Sequence, residues 1–475
     1  MAAAGLSLPG RVWAQAAGAN EAVRIAVVGF RGRGQAHIEG FGKLPGVRVT
    51  GLCDVDENVL AAGAKVLGDR GQKVLACRDV RELLESREVD AVSIASPNHW
   101  HALAGVWACQ AGKDVYVEKP VSHNVWEGGQ LVQAARKHGR IVQGGFQSRS
   151  RPGVQEVMAE VHAGRFGKVK LVRGLCYKPR QSIGKVAGPQ PIPPGIDYNL
   201  WCGPAPMKPL MRKNLHYDWH WVYDTGNGDL GNQGVHEVDL GRWALNQPAL
   251  PPRVISVGGR FGYEDDGETP NTQMVFYDYP TPFIFEVRGL PRGKEFKETG
   301  WPQNMDPCPG VPDKRAICTV IHCEQATVFI PSENAPLLFD LDGKQIKSYA
   351  SGGDHFANFI QAVRSRKPAD LTADVLEGHL SSALCHLGMI SHRVGKLAAP
   401  EESRARLKGH PEASETFGRF QEHLAANGVR LDQTKATLGA WLKVDPKAER
   451  ILGNRAASAL LTRAYRQPFV VSERV

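Results

Sequence analysis

The sequence predicts two joined folds. The first is an α/β doubly wound parallel sheet, and the second is an α+β part with an open, largely antiparallel sheet and flanking helices. Three observations predict this. A β-branched run, VRIAVV at 23–28, leads into a glycine turn at 29–34 and then a helical stretch from Gln35. Four more apolar runs, at 47–52, 89–95, 114–117 and 140–144, alternate with helical stretches, the pattern of a parallel sheet with crossover helices. After about residue 150 the runs are separated by long loops rich in Pro, Gly and charge.

Taken in order, the first strand and its turn carry Gly29, Phe30, Arg31, Gly32, Arg33 and Gly34. Strand, glycine turn and helix together can hold a pyrophosphate. Glycines admit close backbone approach, and the helix N-terminus offers unpaired N–H groups. The spacing is imperfect, because a GxGxxG pattern wants glycine at 31, where this chain has Arg31. The second strand ends at Asp54, 20 residues past Gly34, where an acid would bond adenosine ribose hydroxyls. That acid also repels a 2′-phosphate, so NAD is expected ahead of NADP, with Arg31 or Arg33 softening the preference.

Ligands bind beyond the carboxyl ends of such strands. Three motifs fall there: Ser96-Pro97-Asn98-His99-Trp100-His101, Glu118-Lys119-Pro120, and Gln147. In the second half, 169–175, 254–260, 272–277 and 283–287 read as strands, and 320–330 holds one or two more. Residues 355–395 read as largely helical. The expected organisation is a leader at 1–22, a Rossmann-type domain at 23–150, a second domain at 151–400 and an appended tail at 401–475.

Composition bounds the partners. Among 475 residues, 58 are Lys or Arg and 49 are Asp or Glu, a surplus of nine positive charges with no dense basic stripe. Nucleic acid is therefore not the expected partner. No apolar run reaches the roughly 18 residues that would span a bilayer. The nine cysteines form no CxxC pair, which argues against a zinc cluster. One local bridge among Cys308, Cys318 and Cys323 is compatible with an oxidising compartment, against ordinary buried thiols. His379 and His386 share a helix face without a third ligand, so no metal is expected. The Ala-rich start, ending near Ala14-Gln15-Ala16, looks like the back half of an export signal. The alternative is a floppy cytoplasmic N-terminus.

The ordered motifs resemble the Gfo/Idh/MocA oxidoreductases, named for glucose–fructose oxidoreductase, inositol dehydrogenase and a rhizopine catabolism protein. The matching elements are VVGFRGRG, CDVD at 53–56, SPNHWH at 96–101, VEKP at 117–120, GNQGVHEVD at 231–239, HFANFIQAVRSRKPADL at 355–371 and the closing RAYRQPFVV. The tail is similar to the branch whose members often carry export signals.

The resemblance implies that Lys119 sits beside the nicotinamide and the reacting sugar carbon, with a cis Lys119–Pro120 bond aiming it into the cleft. It implies an acid/base or substrate-clamp role for His236, a place near the cofactor for His101, and a nicotinamide ribose contact for Glu118. The family usually has Asp where this chain has Asn232, so proton transfer should fall on Lys119 and His236. The segment Tyr217-Asp218-Trp219-His220-Trp221 suits either stacking on a sugar face, through Tyr217, His220 and Trp221, or a packed loop. His99 is either a pocket wall or a helix-start cap. The resemblance also implies a homo-oligomer, a dimer or tetramer, through one face of the second sheet.

Three functions follow as expectations. The first is an NAD-dependent oxidoreductase acting on a CH–OH group of a sugar, polyol or sugar derivative. The second is a redox-neutral glycosidase or epimerase-like enzyme with a tightly held NAD. Export, to a periplasm for instance, favours it, because free NAD is scarce outside the cytoplasm. The third is a nucleotide or sugar sensor, against which the presence of both Lys119 and His236 argues.

Overall fold

The computed structural model describes residues 22–290, 316–332 and 334–475; the expected leader, apart from Ala22, and Cys308 lie outside them. Six strands build the first sheet: β1 Val23–Val28, β2 Val47–Cys53, β3 Leu75–Cys77, β4 Ala91–Ile94, β5 Asp114–Val117 and β6 Val142–Gly144. Their order is β3-β2-β1-β4-β5-β6 and every pair is parallel. The order reverses between β1 and β4, and that switch point opens a crevice at the carboxyl ends of both strands.

The crossover helices are α1 Arg33–Gly42, α2 Glu57–Asp69, α3 Val80–Glu85, α4 Asn98–Gln110 and α5 Val125–Lys137. Helix α4 starts at Asn98, inside the SPNHWH motif. Pro97 stands at its N-cap and presets the backbone there. After β6, α6 spans Pro152–His162 with proline in its first turn.

The second sheet has twelve strands. It runs from β7 Val169–Tyr177 through β8 Arg253–Gly259, β9 Thr272–Tyr277, β10 Phe283–Arg288, β11 Ile317–Cys323, β12 Thr327–Pro331, β13 Leu337–Phe339 and β14 Gln345–Ser348. All pairings among these are antiparallel except β7 with β10, which is parallel. The sheet is thus mixed at its centre. Cys318 and Cys323 sit five positions apart on β11, so they point to opposite faces and cannot bridge each other.

Short helices α7 Tyr198–Cys202 and α8 Gly228–Asn232 precede α9 Gly234–Ala244, which packs on the inner face of this sheet. Helix α10, His355–Ser365, returns to the first sheet, where Phe359 and Ile360 join the core of β1, β2 and α1. Helix α11, Val375–Arg393, lies between the two halves, buried along nearly its whole length.

The tail is more than a cover. Strands β15 Lys396–Ala398 and β16 Ala436–Leu438 extend the second sheet beyond β8, and β17 Leu442–Asp445 pairs with β8 and with β18 Arg450–Leu452. Between them, α12 Pro400–Leu407 and α13 Pro411–Ala426 lay Leu407, Phe417, Phe420 and Leu424 on Ile255, Val257, Phe276 and Ile284 of the outer face. A last short helix, α14, spans Arg455–Ala459, and Phe469 then packs edge-on against Trp100 of α4.

Candidate active site

The glycine turn is shaped from both sides. Gly29 has φ +75°, and a Cβ there would lie 2.6 Å from the Ser96 backbone. Glycine is therefore required twice, for the conformation and for contact with the end of β4. A Cβ on Gly34 would meet the Gly29 carbonyl oxygen at 2.2 Å, so the helix can close on the turn only with glycine there. Gly32 differs, because a Cβ there would meet nothing within 4 Å. It is the N-cap of α1, and no side chain caps the helix. Its open side and the uncapped amides form a cradle for a phosphate group.

Asp54 closes the next wall. Its carboxylate accepts from the amides of Phe30 and Asp56, each at 3.0 Å. Burial raises its pKa, and those two amides oppose the rise. The expected arginines are both engaged: Arg31 Nη1 lies 3.2 Å from Asp56, and Arg33 Nε lies 2.9 Å from Glu118. Phe30 is fully buried, and its ring lies where a side chain on Gly63 would go. Its contribution to the site is the amide.

A cavity of about 510 Å³ runs from this turn to Lys119, His220 and Asn232. Gly29, Arg31, Gly32, Asp54, Ser96, Pro97, Asn98, His101 and Glu118 line it, while Phe30, Gly34 and Gln147 stand behind the wall. An uncapped amide turn at one end and the Asp54 carboxylate beside it are groups that would hold the phosphate and ribose of a dinucleotide.

Glu118 is a hub. Its Oε1 accepts from Arg33, from Gln147 Nε2 at 3.1 Å and from His37 Nε2 at 3.1 Å, and Oε2 accepts the Lys119 amide at 3.2 Å. Burial alone would raise its pKa, but the His37 bond and the Arg33 charge outweigh it and hold the carboxyl well below the usual range. His37 carries a proton on Nε2, since a carboxylate only accepts, and its Nδ1 lies 2.7 Å from the Ser93 hydroxyl. No sequence pattern marked His37.

His101 lines the cavity, but both of its ring nitrogens face main-chain carbonyls, Pro120 at 2.6 Å and Ser96 at 2.7 Å. It pins together the two loops that carry Ser96 and Lys119. Burial lowers its pKa despite the two carbonyls. His99 is a tie of the same kind, with Nε2 2.9 Å from the Trp201 carbonyl.

The Lys119–Pro120 bond is cis. Lys119 Nζ donates to the main-chain carbonyl of Asn232 at 2.6 Å. Burial lowers its pKa, Glu118 opposes this, and Arg33 adds to the fall. His236, in the first turn of α9 and not among the residues that line the cavity, packs edge-on to Phe146 with ring centroids 6.1 Å apart. Burial, then the Lys119 charge, push it down to about 3, so the ring is neutral at pH 7. His220 stacks on Trp219 at 3.6 Å, and its Nδ1 lies 2.5 Å from the Tyr217 carbonyl. The proton therefore sits on Nδ1, leaving Nε2 a free base. Burial also brings this ring down to about 3.

Tyr217 lines the cavity at φ +64°, and its hydroxyl accepts from Arg180 at 2.7 Å. Trp221 departs from the sugar-stacking expectation. It is 4% exposed, outside the cavity lining and beneath the Arg180 guanidinium. Arg180 also pairs with buried Asp229 at 2.7 Å. Asp229 stands three residues before Asn232, and that spacing was its only signal. Asp239, in the same motif, is structural, paired at 2.8 Å with Arg149 across the two halves.

Apart from its aromatic segment at 217–221, the long loop at 178–227 was legible only as Pro- and Gly-rich. It forms a strap over the cavity. Asp197 N donates to the Val55 carbonyl at 3.1 Å, Glu57 N to Gly195 at 3.0 Å, and Trp100 Nε1 to Leu200 at 2.9 Å. These anchors join both walls of the crevice, and the strap contributes Leu200, Trp201, His216 and Trp219 to the lining. His379 Nε2 lies 2.7 Å from a Glu449 carboxylate oxygen, and His386 Nε2 lies 3.3 Å from the Ser122 hydroxyl.

Comparison with known proteins agrees with this fold. Residues 23–146 match the oxidoreductase family, NAD-binding Rossmann fold, and residues 165–280 match that family's C-terminal alpha/beta domain, together just over half of the chain. Inositol 2-dehydrogenase/D-chiro-inositol 3-dehydrogenase of Shouchella clausii is 33% identical over 153 residues, covering 32% of this chain and 43% of that protein. A glycosyl hydrolase family 109 protein of Saccharopolyspora erythraea is 32% identical over 164 residues, covering 33% of this chain and 35% of that protein. The matches thus span less than half the length of these curated relatives. In fold, the chain is similar to the WlbA dehydrogenase of Bordetella pertussis, solved with NADH and UDP-GlcNAcA. The TM-score is 0.55 at 19% identity, covering 76% of this chain and 94% of that one.

Proposed function

The chain belongs to the Gfo/Idh/MocA family of NAD-binding oxidoreductases, and from that premise we propose that it acts on a CH–OH carbon of a sugar, polyol or sugar derivative. One observation carries the reading: a single cavity joins the glycine turn to Lys119, with Lys119 Nζ fixed on the Asn232 carbonyl at 2.6 Å.

Bound NAD supplies the hydride acceptor or donor. The chain's own groups handle the proton. Lys119 holds the substrate hydroxyl at Nζ, and its lowered pKa leaves more of that nitrogen as free amine, open to a proton, at neutral pH. His236 is neutral at pH 7, and its ring nitrogens make no hydrogen bond among the described residues, so it can clamp a second hydroxyl or take the proton onward. Asn232 cannot act as a base, but its amide can orient a hydroxyl. Tyr217 and His220 border the space where the sugar would lie.

A second reading has its own support. The strap spans the crevice from the β2–α2 loop to α4, so a bound dinucleotide would leave only when those anchors break. A retained cofactor suits a redox-neutral glycosidase, which oxidises a sugar transiently, eliminates a group and reduces the product back. A family 109 glycosyl hydrolase is among the relatives. Export of the protein belongs with this reading. Self-association is also part of the proposal, through surfaces other than the part of the outer sheet face that α13 covers.

The deciding experiment screens the purified protein against free sugars, polyols and aryl glycosides, reading NADH and leaving group together. Steady NADH formation supports the dehydrogenase. Leaving-group release without net NADH supports the glycosidase. Protein that neither carries nor binds NAD(H) would sink both.

A further inference from the structure

At the adenosine end of the cavity a second acid stands two residues beyond Asp54. Asp56 is the N-cap of α2, and its Oδ1 accepts from the amides of Asn58 at 3.1 Å and Val59 at 3.5 Å. The cap fixes the carboxylate and leaves Oδ2 facing the turn. There Arg31 Nη1 lies 3.2 Å away. From the strap side, His216 Nε2 comes within 3.6 Å of the same oxygen.

Arg31 occupies the position where the glycine pattern expects glycine, and it lines the same cavity end as Asp54 and His216. Its guanidinium is half-exposed, with 55% of the side chain accessible, whereas the Asp56 side chain is 6% accessible. An unpaired guanidinium beside the adenosine ribose would attract a 2′-phosphate through a charge-assisted, bidentate contact. The pair removes that attraction and leaves a site for neutral ribose hydroxyls. Of the other two guanidiniums that line the cavity, Arg33 pairs with Glu118 and Arg78 donates Nη2 to the Gly195 carbonyl of the strap.

We propose that Asp56, by holding Arg31 in an ion pair, is a specificity-determining residue that sets NAD over NADP in this chain. The assignment rests on the dinucleotide reading of the cavity. It gives Asp56 a task separate from that of Asp54: Asp54 faces the ribose, and Asp56 silences the neighbouring cation. The helix cap makes the test clean, because asparagine caps a helix as well as aspartate does. Asp56→Asn keeps the cap and removes the charge.

Full-length wild type, Asp56→Asn and the double variant Arg31→Ala/Asp56→Asn are brought to equilibrium with equal concentrations of NAD and NADP. Free nucleotide is removed and the retained nucleotide is released with acid and quantified. The expected result is a retained NADP-to-NAD ratio at least tenfold higher in Asp56→Asn than in wild type, and a return toward the wild-type ratio in the double variant. Thermal melting confirms that the variants fold. An unchanged ratio in Asp56→Asn, or an equal rise in the double variant, overturns the assignment while leaving NAD binding intact. Retention of neither nucleotide by wild type removes the dinucleotide reading itself, and the assignment with it.

Discussion

Lys119 and Asn232 meet across the crevice: the lysine Nζ donates to the main-chain carbonyl of the asparagine at 2.6 Å. The contact joins the end of β5 to α8 and so couples the dinucleotide half to the second sheet. The anchor is a backbone atom, so the side chain at 232, whose Nδ2 donates to Asp229 Oδ1 at 3.4 Å, is not needed to hold the lysine.

Lys119→Ala should lower kcat by about 10²- to 10⁴-fold, the usual contribution of a positioned proton-transfer group. Dinucleotide binding should survive, since the glycine turn is untouched. Asn232→Ala keeps the carbonyl and should cost far less. Steady-state kinetics on the substrate found by screening checks both, and equal losses would mean that the lysine is not the proton carrier.

Asn232→Asp places a carboxylate beside Lys119. The added negative charge raises the lysine pKa, so the ascending limb of the pH–rate profile, which depends on free amine, should move to higher pH. A pH–rate profile that superposes on wild type would separate Lys119 from the titrating step.

Gly29→Ala and Gly32→Ala should behave differently. The first forces a side chain onto φ +75° and into the Ser96 backbone at 2.6 Å, and should lower Tm and abolish dinucleotide binding. The second meets nothing within 4 Å, so Tm should hold while the methyl group intrudes on the phosphate cradle. Calorimetry with NADH titration tests the pair; retained affinity in Gly32→Ala would move the phosphate away from this turn.

The strap predicts slow cofactor exchange. Arg78→Ala removes the bond to the Gly195 carbonyl without opening the core. Release of labelled NAD should then accelerate severalfold relative to wild type. Equal release rates would show that the strap does not gate the site.

Stability should fall on both sides of a near-neutral optimum. His99, His220, His236 and His386 are each pushed down to about 3, chiefly by burial, from an ordinary 6.5. Between those values the unfolded chain binds more protons, so stability falls as pH drops below about 6.5. Buried Glu237 has the opposite sign. Burial raises it to about 8 from 4.5, so its contribution is lost as pH rises through that window. Tm measured from pH 4 to 9 should show both flanks, and Glu237→Gln should flatten the alkaline one.

Local signals carried much of the site into the sequence. The glycine turn, Asp54 and the EKP motif are short-range patterns, because strand, turn and helix N-terminus follow one another along the chain. The partners of those residues were not legible. Nothing local pairs Arg33 with Glu118, 85 positions away, or Arg149 with Asp239, 90 positions away. Trp221 shows the limit from the other side: its aromatic neighbourhood suited sugar stacking, yet the fold buries it under Arg180. Apart from its aromatic segment at 217–221, the 178–227 strap carried only a compositional signal, and the parallel pairing of β7 with β10 carried none.

By itself the sequence determined the doubly wound first half, the open and largely antiparallel second half, and which side chains are chemically able to move a proton. Periodicity and turn chemistry are properties of neighbouring residues, so they survive in one dimension. Tertiary structure alone decided which of those side chains share a cavity, which histidines are neutral, and that Arg31 is balanced by Asp56. Charge state and contact depend on burial and on groups brought together from distant parts of the chain, and only the folded packing sets those.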